Sequence, residues 1–178
     1  PALHNSHIRK TTHMSSSDIN RFLQAQEGNH PKKPGNTYAE ALTELRNGRK
    51  LTHWIWYVFP QIQLGSSSTS IEFSINSMKE AKEYLSHPIL GARYEESCEL
   101  LMQRASQHEN TWDGISHVLG SDASKFRSSI TLFGETAKIC NDIGRPVISQ
   151  LWTTLAPGAI SPCSATLDFI VQSPPWCK

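Results

Sequence analysis

The sequence predicts an all-α fold, built as a single compact domain of several helices. Three observations lead to this expectation. Apolar residues recur at positions i, i+3 and i+4 along most of the chain, which is the period of an amphipathic helix. Two of these segments begin with a capping box, and glycines and prolines separate most of them. The length of 178 residues also fits one domain of ordinary size.

We expect the helical domain to occupy residues 17–172. Residues 1–16 are polar and lack a sustained period, which predicts a disordered arm. Within it, His13–Met14 is typical of either a cloning junction or a native start. Residues 173–178 are expected to form a tail.

The first two helices are predicted near residues 18–27 and 37–47. A serine directly before the first of them can serve as its N-cap. Thr37 and Glu40 form a capping box for the second, because each side chain can bond a free backbone N–H at the helix start. A loop with two prolines and a glycine separates the two helices.

The most apolar stretch of the chain is Trp54–Phe59, which ends at Pro60. Aromatic and β-branched residues would also suit a short buried strand. No partner strand is evident nearby and a lone strand leaves its backbone groups unpaired, so we predict a short buried helix. A short strand pair with residues 70–75 stays open as the alternative. The small-residue segment 65–70 is predicted to be a flexible connector.

The second half of the chain is predicted to be a run of helices with clear punctuation. His87 precedes Pro88 at one of the breaks, and we interpret it as a local helix cap rather than a ligand. The predicted helices lie near 78–86, 89–105, 122–139 and 146–155, with shorter ones over Trp112–Leu119 and about Ser164–Val171.

Composition argues against several classes of protein. The net charge of +1 gives no reason to expect nucleic acid or a membrane surface as a partner. No apolar run approaches the ~18 residues of a bilayer span, and no signal-like segment opens the chain, so we expect a soluble cytoplasmic protein. The histidines are dispersed and the four cysteines form no CxxC pair, so we expect no metal and no cofactor. Two disulfides in a secreted form stay open as the alternative.

Four segments carry a resemblance to a known family. They are His53–Gln61, which reads H-W-x-W-x-x-F-P-Q, and the segments Tyr38–Gly48, Tyr84–Gly91 and Lys125–Phe133. Over residues 17–135 the chain thereby resembles the bacterial and fungal family called domain of unknown function 1810. The resemblance implies a mainly α-helical single domain and no established reaction. Some members carry the label calpastatin, but no segment here looks like a calpain-inhibitor repeat. Residues 156–163 depart from the bacterial pattern.

Polar residues beside bulky rings in these motifs are the candidate functional residues, because such groups must be hydrogen-bonded or contact a ligand. In a structural interpretation, His53 and Arg127 satisfy helix-end carbonyls, while Ser128 and Thr131 bond back to their own helix. In a functional interpretation, the two motifs face each other across a cleft. The residues predicted to contact a ligand there are Trp54, Trp56, Gln61, Lys125, Arg127, Ser128 and Thr131, with His53 as a candidate catalytic residue.

Cationic and hydroxyl donors beside indole rings suit a ligand that combines a phosphate or carboxylate with a flat ring, such as a nucleotide. We therefore predict binding of a small anionic, ring-containing ligand. One alternative is an enzyme that uses His53 as general acid or base, with Glu40 or Glu44 approaching it in space. Another is an interaction or scaffold module without a small-molecule site, for which an exposed Trp176 would be the relevant feature.

Overall fold

Helices form most of the chain that the computed structural model describes, which is residues 18–32, 35–140, 143–156 and 158–173. In chain order they are α1 (Asn20–Gln26), α2 (Tyr38–Arg46), α3 (Ile55–Val58), α4 (Ser68–Glu72), α5 (Met78–Ser86), α6 (Pro88–Ala105), α7 (Thr111–Leu119), a 3₁₀ turn (Gly120–Asp122), α8 (Ala123–Ile139), α9 (Pro146–Leu155) and α10 (Ser164–Gln172). The predicted all-α class is confirmed. The alternative strand pair does not form within these ranges. They contain one isolated parallel β-bridge, between Ile62 and Ile75.

Side-chain caps begin α2 and α6 where the sequence predicts them, whereas α1 begins at Asn20 after Ile19, without the predicted serine cap. The Thr37 hydroxyl accepts the Glu40 N–H and the Glu40 carboxylate accepts the Thr37 N–H, which is the reciprocal capping box at the start of α2. His87 Nδ1 accepts the N–H groups of Ile89 and Leu90, each at 3.2 Å, and so caps α6. The interpretation of His87 as a local cap is confirmed.

The segment predicted as a connector is partly helical. Helix α4 begins at Ser68 because the Ser67 hydroxyl accepts the N–H of Ser70 at 3.1 Å. The helix leads into Phe73, which is buried in the core. The prediction of a connector over 65–70 is therefore wrong from Ser68 onwards, because an N-cap and one buried anchor outweigh the weak helix preference of serine and threonine.

The stretch Trp54–Phe59 forms part of the core, as predicted. Trp54 and Phe59 are both 0% exposed, whereas Trp56 retains partial exposure. The short helix α3 confirms the helical interpretation of this stretch. The buried Gln26 amide supports it by donating to the Tyr57 carbonyl at 2.8 Å.

Helix α8 packs against four other helices, α5, α7, α9 and α10. Phe126 lies 4.9 Å from Phe59 and Phe133 lies 4.7 Å from Tyr94, both measured between ring centroids. Gly134 permits close packing on α9, because a Cβ there would come within 2.2 Å of the Trp152 side chain. Helix α8 is therefore a fixed base for the polar residues at its N-terminal half.

Some predictions from composition can be compared with the described residues. No described helix is both long and apolar enough to cross a bilayer. Cys98 and Cys163 have free thiols, so the alternative of two disulfides, which needs all four cysteines, is wrong. The predicted arm over 1–16 and the tail, except Ser173, lie outside the described residues.

Candidate functional site

A cavity of about 390 Å³ lies between the segment after α3 and the first turns of α8, and the start of α10 closes one side. This volume lies in the lower part of the range of small-molecule sites. The cavity is lined by Trp56, Gln61, Leu64, Gly65, Ser124, Lys125, Arg127 and Cys163. Four of the predicted site residues, Trp56, Gln61, Lys125 and Arg127, therefore meet in one cavity.

Arg127 is a cation of this cavity that has no charged partner among the described residues. Its Nε is buried and without a hydrogen bond, and no carboxylate among the described residues pairs with its guanidinium. The guanidinium carbon lies 5.8 Å from the ring centre of Trp112. This cation–π contact supports the side chain but uses none of its N–H donors. The expected bonds from Arg127 to helix-end carbonyls do not form within the described chain.

Gln61 is a second polar side chain on the wall that lacks a partner in the described chain. The residue is only 7% exposed, and its backbone carbonyl accepts the N–H of Ile75 at 2.9 Å. The side-chain amide, however, forms no hydrogen bond with any described residue. Because this amide reaches the cavity, water or a ligand there can supply its hydrogen bonds.

Lys125 differs from Arg127 because its charge is already compensated. Its Nζ lies 2.7 Å from Asp122, which also pairs with Lys50 at 2.6 Å. Burial acts to raise the Asp122 pKa, but the two lysines outweigh burial and hold that pKa below its usual value. Lys125 Nζ also lies 5.0 Å from the Trp56 ring centre, so this lysine orients the indole at the cavity wall.

Ser128 and Thr131 lie behind the cavity rather than on its surface, and both are 0% exposed. The Ser128 hydroxyl bonds the Thr166 hydroxyl at 2.8 Å. The Thr131 hydroxyl donates to the Arg127 carbonyl at 2.8 Å, as the structural interpretation expected, and accepts the Cys163 N–H at 3.1 Å. Both hydroxyls therefore attach the start of α10 to α8, and neither is in a position to contact a ligand.

Cys163 is the cavity residue that the sequence analysis missed. It is partly exposed and directly precedes α10 as its N-cap residue. Burial acts to raise its pKa, but Thr166 donors, the Ser128 hydroxyl and the Arg127 charge together hold the Cys163 pKa below its usual value. The predicted start of a helix at Ser164 is the signal that could have placed this cysteine at a helix N-terminus.

The structure does not bring His53 and Trp54 to the cavity. His53 is exposed in the turn before α3, and its imidazole contacts no hydrogen-bonding partner in the described chain. Trp54 is 0% exposed, and its indole N–H donates to Glu44 at 2.7 Å. The predicted catalytic residue and one predicted ligand contact therefore lie elsewhere, because the chain turns between Thr52 and Ile55.

The arrangement of donors on the wall determines what the cavity can do chemically. Its described lining residues offer a guanidinium without a carboxylate partner, a free amide, an indole face, the Ser124 hydroxyl and a thiol, but no carboxylate or imidazole. Nor do the described residues contain a group of three or more side chains suited to hold a metal ion. Such a wall can bind an anion by charge-assisted hydrogen bonds.

Comparisons with known proteins find a matching family and a similar solved structure. A family model described as protein of unknown function (DUF1810) matches residues 16–154. The crystal structure at 1.38 Å of the conserved hypothetical protein Rv1873 from Mycobacterium tuberculosis is similar, with 34% sequence identity and a TM-score of 0.58. The similarity covers 77% of this chain and 88% of that one. No curated protein matches. The matched family region includes the cavity residues from Trp56 to Arg127 and ends before Cys163.

Proposed function

The chain belongs to the family described as protein of unknown function (DUF1810), and we propose that it binds a small anionic, ring-containing ligand in the cavity between Trp56 and Arg127. One observation carries the proposal. Arg127 has a buried Nε without a hydrogen bond and no paired carboxylate in the described chain. A buried donor without an acceptor is unusual in a folded protein, so its partner is expected from outside the chain.

The anionic character of the ligand follows from this guanidinium. A planar fork of N–H donors suits phosphate and carboxylate oxygens, which can accept two parallel bonds from it. Lys125 contributes little to the net charge of the cavity, because Asp122 already pairs with it. The site therefore favours one anionic group rather than a densely charged polyanion.

The ring-containing character follows from the other side of the cavity. Trp56 presents part of its indole to the cavity, and Gln61 presents an amide that can donate and accept. A flat heterocycle could stack on the indole and bond the amide in its plane. Nucleotides combine such a ring with a phosphate, which makes them the first class to test.

The test is a thermal-shift screen with nucleotides, sugar phosphates and acidic metabolites, with adenosine and inorganic phosphate as separate probes for ring and anion. A compound that binds the folded protein must raise its melting temperature. The Arg127→Gln variant should lose about 1.5–3 kcal/mol of binding free energy, because a charge-assisted bond is removed.

Arg49→Gln is the matched control, because Arg49 is an exposed arginine outside the cavity. It should bind as the wild-type protein does. The proposal is contradicted if no anionic compound shifts the melting temperature, or if Arg127→Gln and Arg49→Gln bind equally well.

An enzymatic function lacks a comparable supporting observation. The described residues of the cavity wall include no imidazole or carboxylate for general acid–base chemistry, and His53 lies outside the cavity. We therefore propose binding and assign no catalytic role to His53.

A further inference from the structure

Cys163 is a free thiol at the edge of the proposed ligand cavity. Its backbone N–H is fixed by the Thr131 hydroxyl at 3.1 Å, and it stands directly before the nine-residue helix α10. The Ser128 hydroxyl, bonded to Thr166 at 2.8 Å, lies in the same corner. The thiol is therefore held in a defined place and reaches a space large enough for a second molecule.

The surroundings of the sulfur favour its thiolate. The first residues of a helix leave unpaired N–H groups, whose partial positive charge stabilises an anion. The residue is partly exposed, so its sulfur is accessible to a reagent that enters the cavity. The Thr166 donors and the Arg127 charge outweigh burial and lower the Cys163 pKa, and a lower pKa gives more thiolate at neutral pH.

A second observation is that the wall of the same cavity carries polar groups without a partner among the described residues. Gln61 is 7% exposed, lines the cavity and has no side-chain hydrogen bond within the described residues. Arg127 adds a guanidinium without a carboxylate partner there. A molecule that reaches the thiol would therefore meet an amide and a cation that can bind its carboxylate and amide groups.

We propose that Cys163 is a thiolation site for small anionic peptide disulfides such as glutathione disulfide, and that the adduct closes the cavity to its ligand. The Cys163 thiolate attacks one sulfur of the disulfide, a new sulfur–sulfur bond forms, and the old one breaks. The second half of the disulfide leaves as a thiolate and takes up a proton. The disulfide is the oxidant, and a thiol in excess reverses the step. The adduct itself is independent of the proposed function, but its regulatory effect rests on it.

Cys98 gives an internal comparison for this reaction. It is also a free thiol, but it is 0% exposed and burial raises its pKa strongly. Neither access nor thiolate character favours its reaction in the folded protein. Both cysteines meet the same reagent in one sample. A difference between their reaction rates therefore reports their local environments and not the reaction conditions.

The experiment treats the intact protein with glutathione disulfide, stops the reaction with acid and locates adducts by peptide mass spectrometry. We expect an adduct on Cys163 well before one on Cys98. Arg127→Gln should slow the reaction on the order of tenfold, since a local positive charge raises the encounter rate of an anion. With the uncharged hydroxyethyl disulfide the loss should be much smaller. Arg49→Gln should react as the wild type does with both disulfides.

Two results would overturn the inference: a Cys163 that reacts no faster than Cys98, or equal slowing of both disulfides in Arg127→Gln. Ligand binding is measured separately, by thermal shift on untreated and glutathionylated protein. A compound that shifts both samples equally contradicts the closing of the cavity. An adduct on Cys163 without any binding compound would contradict the proposed function while the thiolation site stands.

Discussion

Trp54 and Trp56 lie two residues apart in the chain, but the polar groups around them differ in whether their hydrogen bonds are complete. The N–H of Trp54 donates to Glu44, a carboxylate that also accepts bonds from Leu51 and Thr52. Trp56 faces a cavity in which Arg127 has a buried donor without an acceptor among the described residues. The comparison teaches that a polar residue in a motif is structural where its bonds are complete, and a candidate for binding where they are not.

The largest expected difference is in stability after removal of each indole. Trp54→Ala should lower the free energy of unfolding by about 3–5 kcal/mol, because it leaves a large cavity in the core. Trp56→Ala should cost less, about 1–3 kcal/mol, since this side chain is partly exposed. Denaturant unfolding of the two variants and the wild-type protein measures both free-energy losses. Equal costs would show that the two indoles do not differ in structural role.

The second expected effect concerns Glu44. Glu44→Gln should cost about 1.5–3 kcal/mol at neutral pH, because bonds to a charged acceptor are weakened. Burial acts to raise the Glu44 pKa, but the donors from Thr52, Leu51 and Trp54 outweigh it and lower the pKa. A lowered folded-state pKa gives stability above the usual Glu value of about 4.3, and this stability is lost as pH falls through the folded-state pKa.

The pH dependence of the free energy of unfolding is the control for the effect of Glu44→Gln. Unfolding measured between neutral pH and about pH 3 should show the wild-type protein losing more stability on acidification than Glu44→Gln does. The curves of the two proteins should approach each other at the acid end. Parallel curves over the whole range would contradict a structural role for the ionised carboxylate.

The smallest expected change in stability is at Arg127. Arg127→Gln should change the free energy of unfolding by no more than about 0.5 kcal/mol, because the guanidinium has no ion pair in the described chain to lose. The same variant is expected to lose ligand binding. A large loss of stability without a loss of binding would reverse the assignment and make Arg127 a structural residue.

Local signals in the sequence were sufficient for most of the fold. Thr37 and Glu40 mark the start of α2, and His87 marks the start of α6, because caps act within three or four residues. The start of α4 at Ser68 was missed because its serines have weak helix preference and its stability depends on Phe73 reaching the core. Propensity carries no information on that long-range contact.

The cavity was predicted only in part for a related reason. Gln61 and Arg127 share a cavity, but this depends on how the chain turns after α3 and on how α8 packs beside it. His53 and Trp54 belong to the same motif and point elsewhere, into solvent and into the core respectively. Cys163 enters the cavity through the packing of α10 on α8, which no motif in the sequence indicates.

The central claim is that the free donors of Arg127 and Gln61 find their partner in a bound anionic ligand. The most direct measurement is a nuclear magnetic resonance titration that follows the Arg127 Nε–H and the Gln61 side-chain amide signals. The titrant is the compound that raises the melting temperature most. We predict that both signals shift with one dissociation constant, equal to that from the thermal shifts, while the Arg49 Nε–H signal stays in place. Binding of the compound with both cavity signals unchanged would contradict the claim.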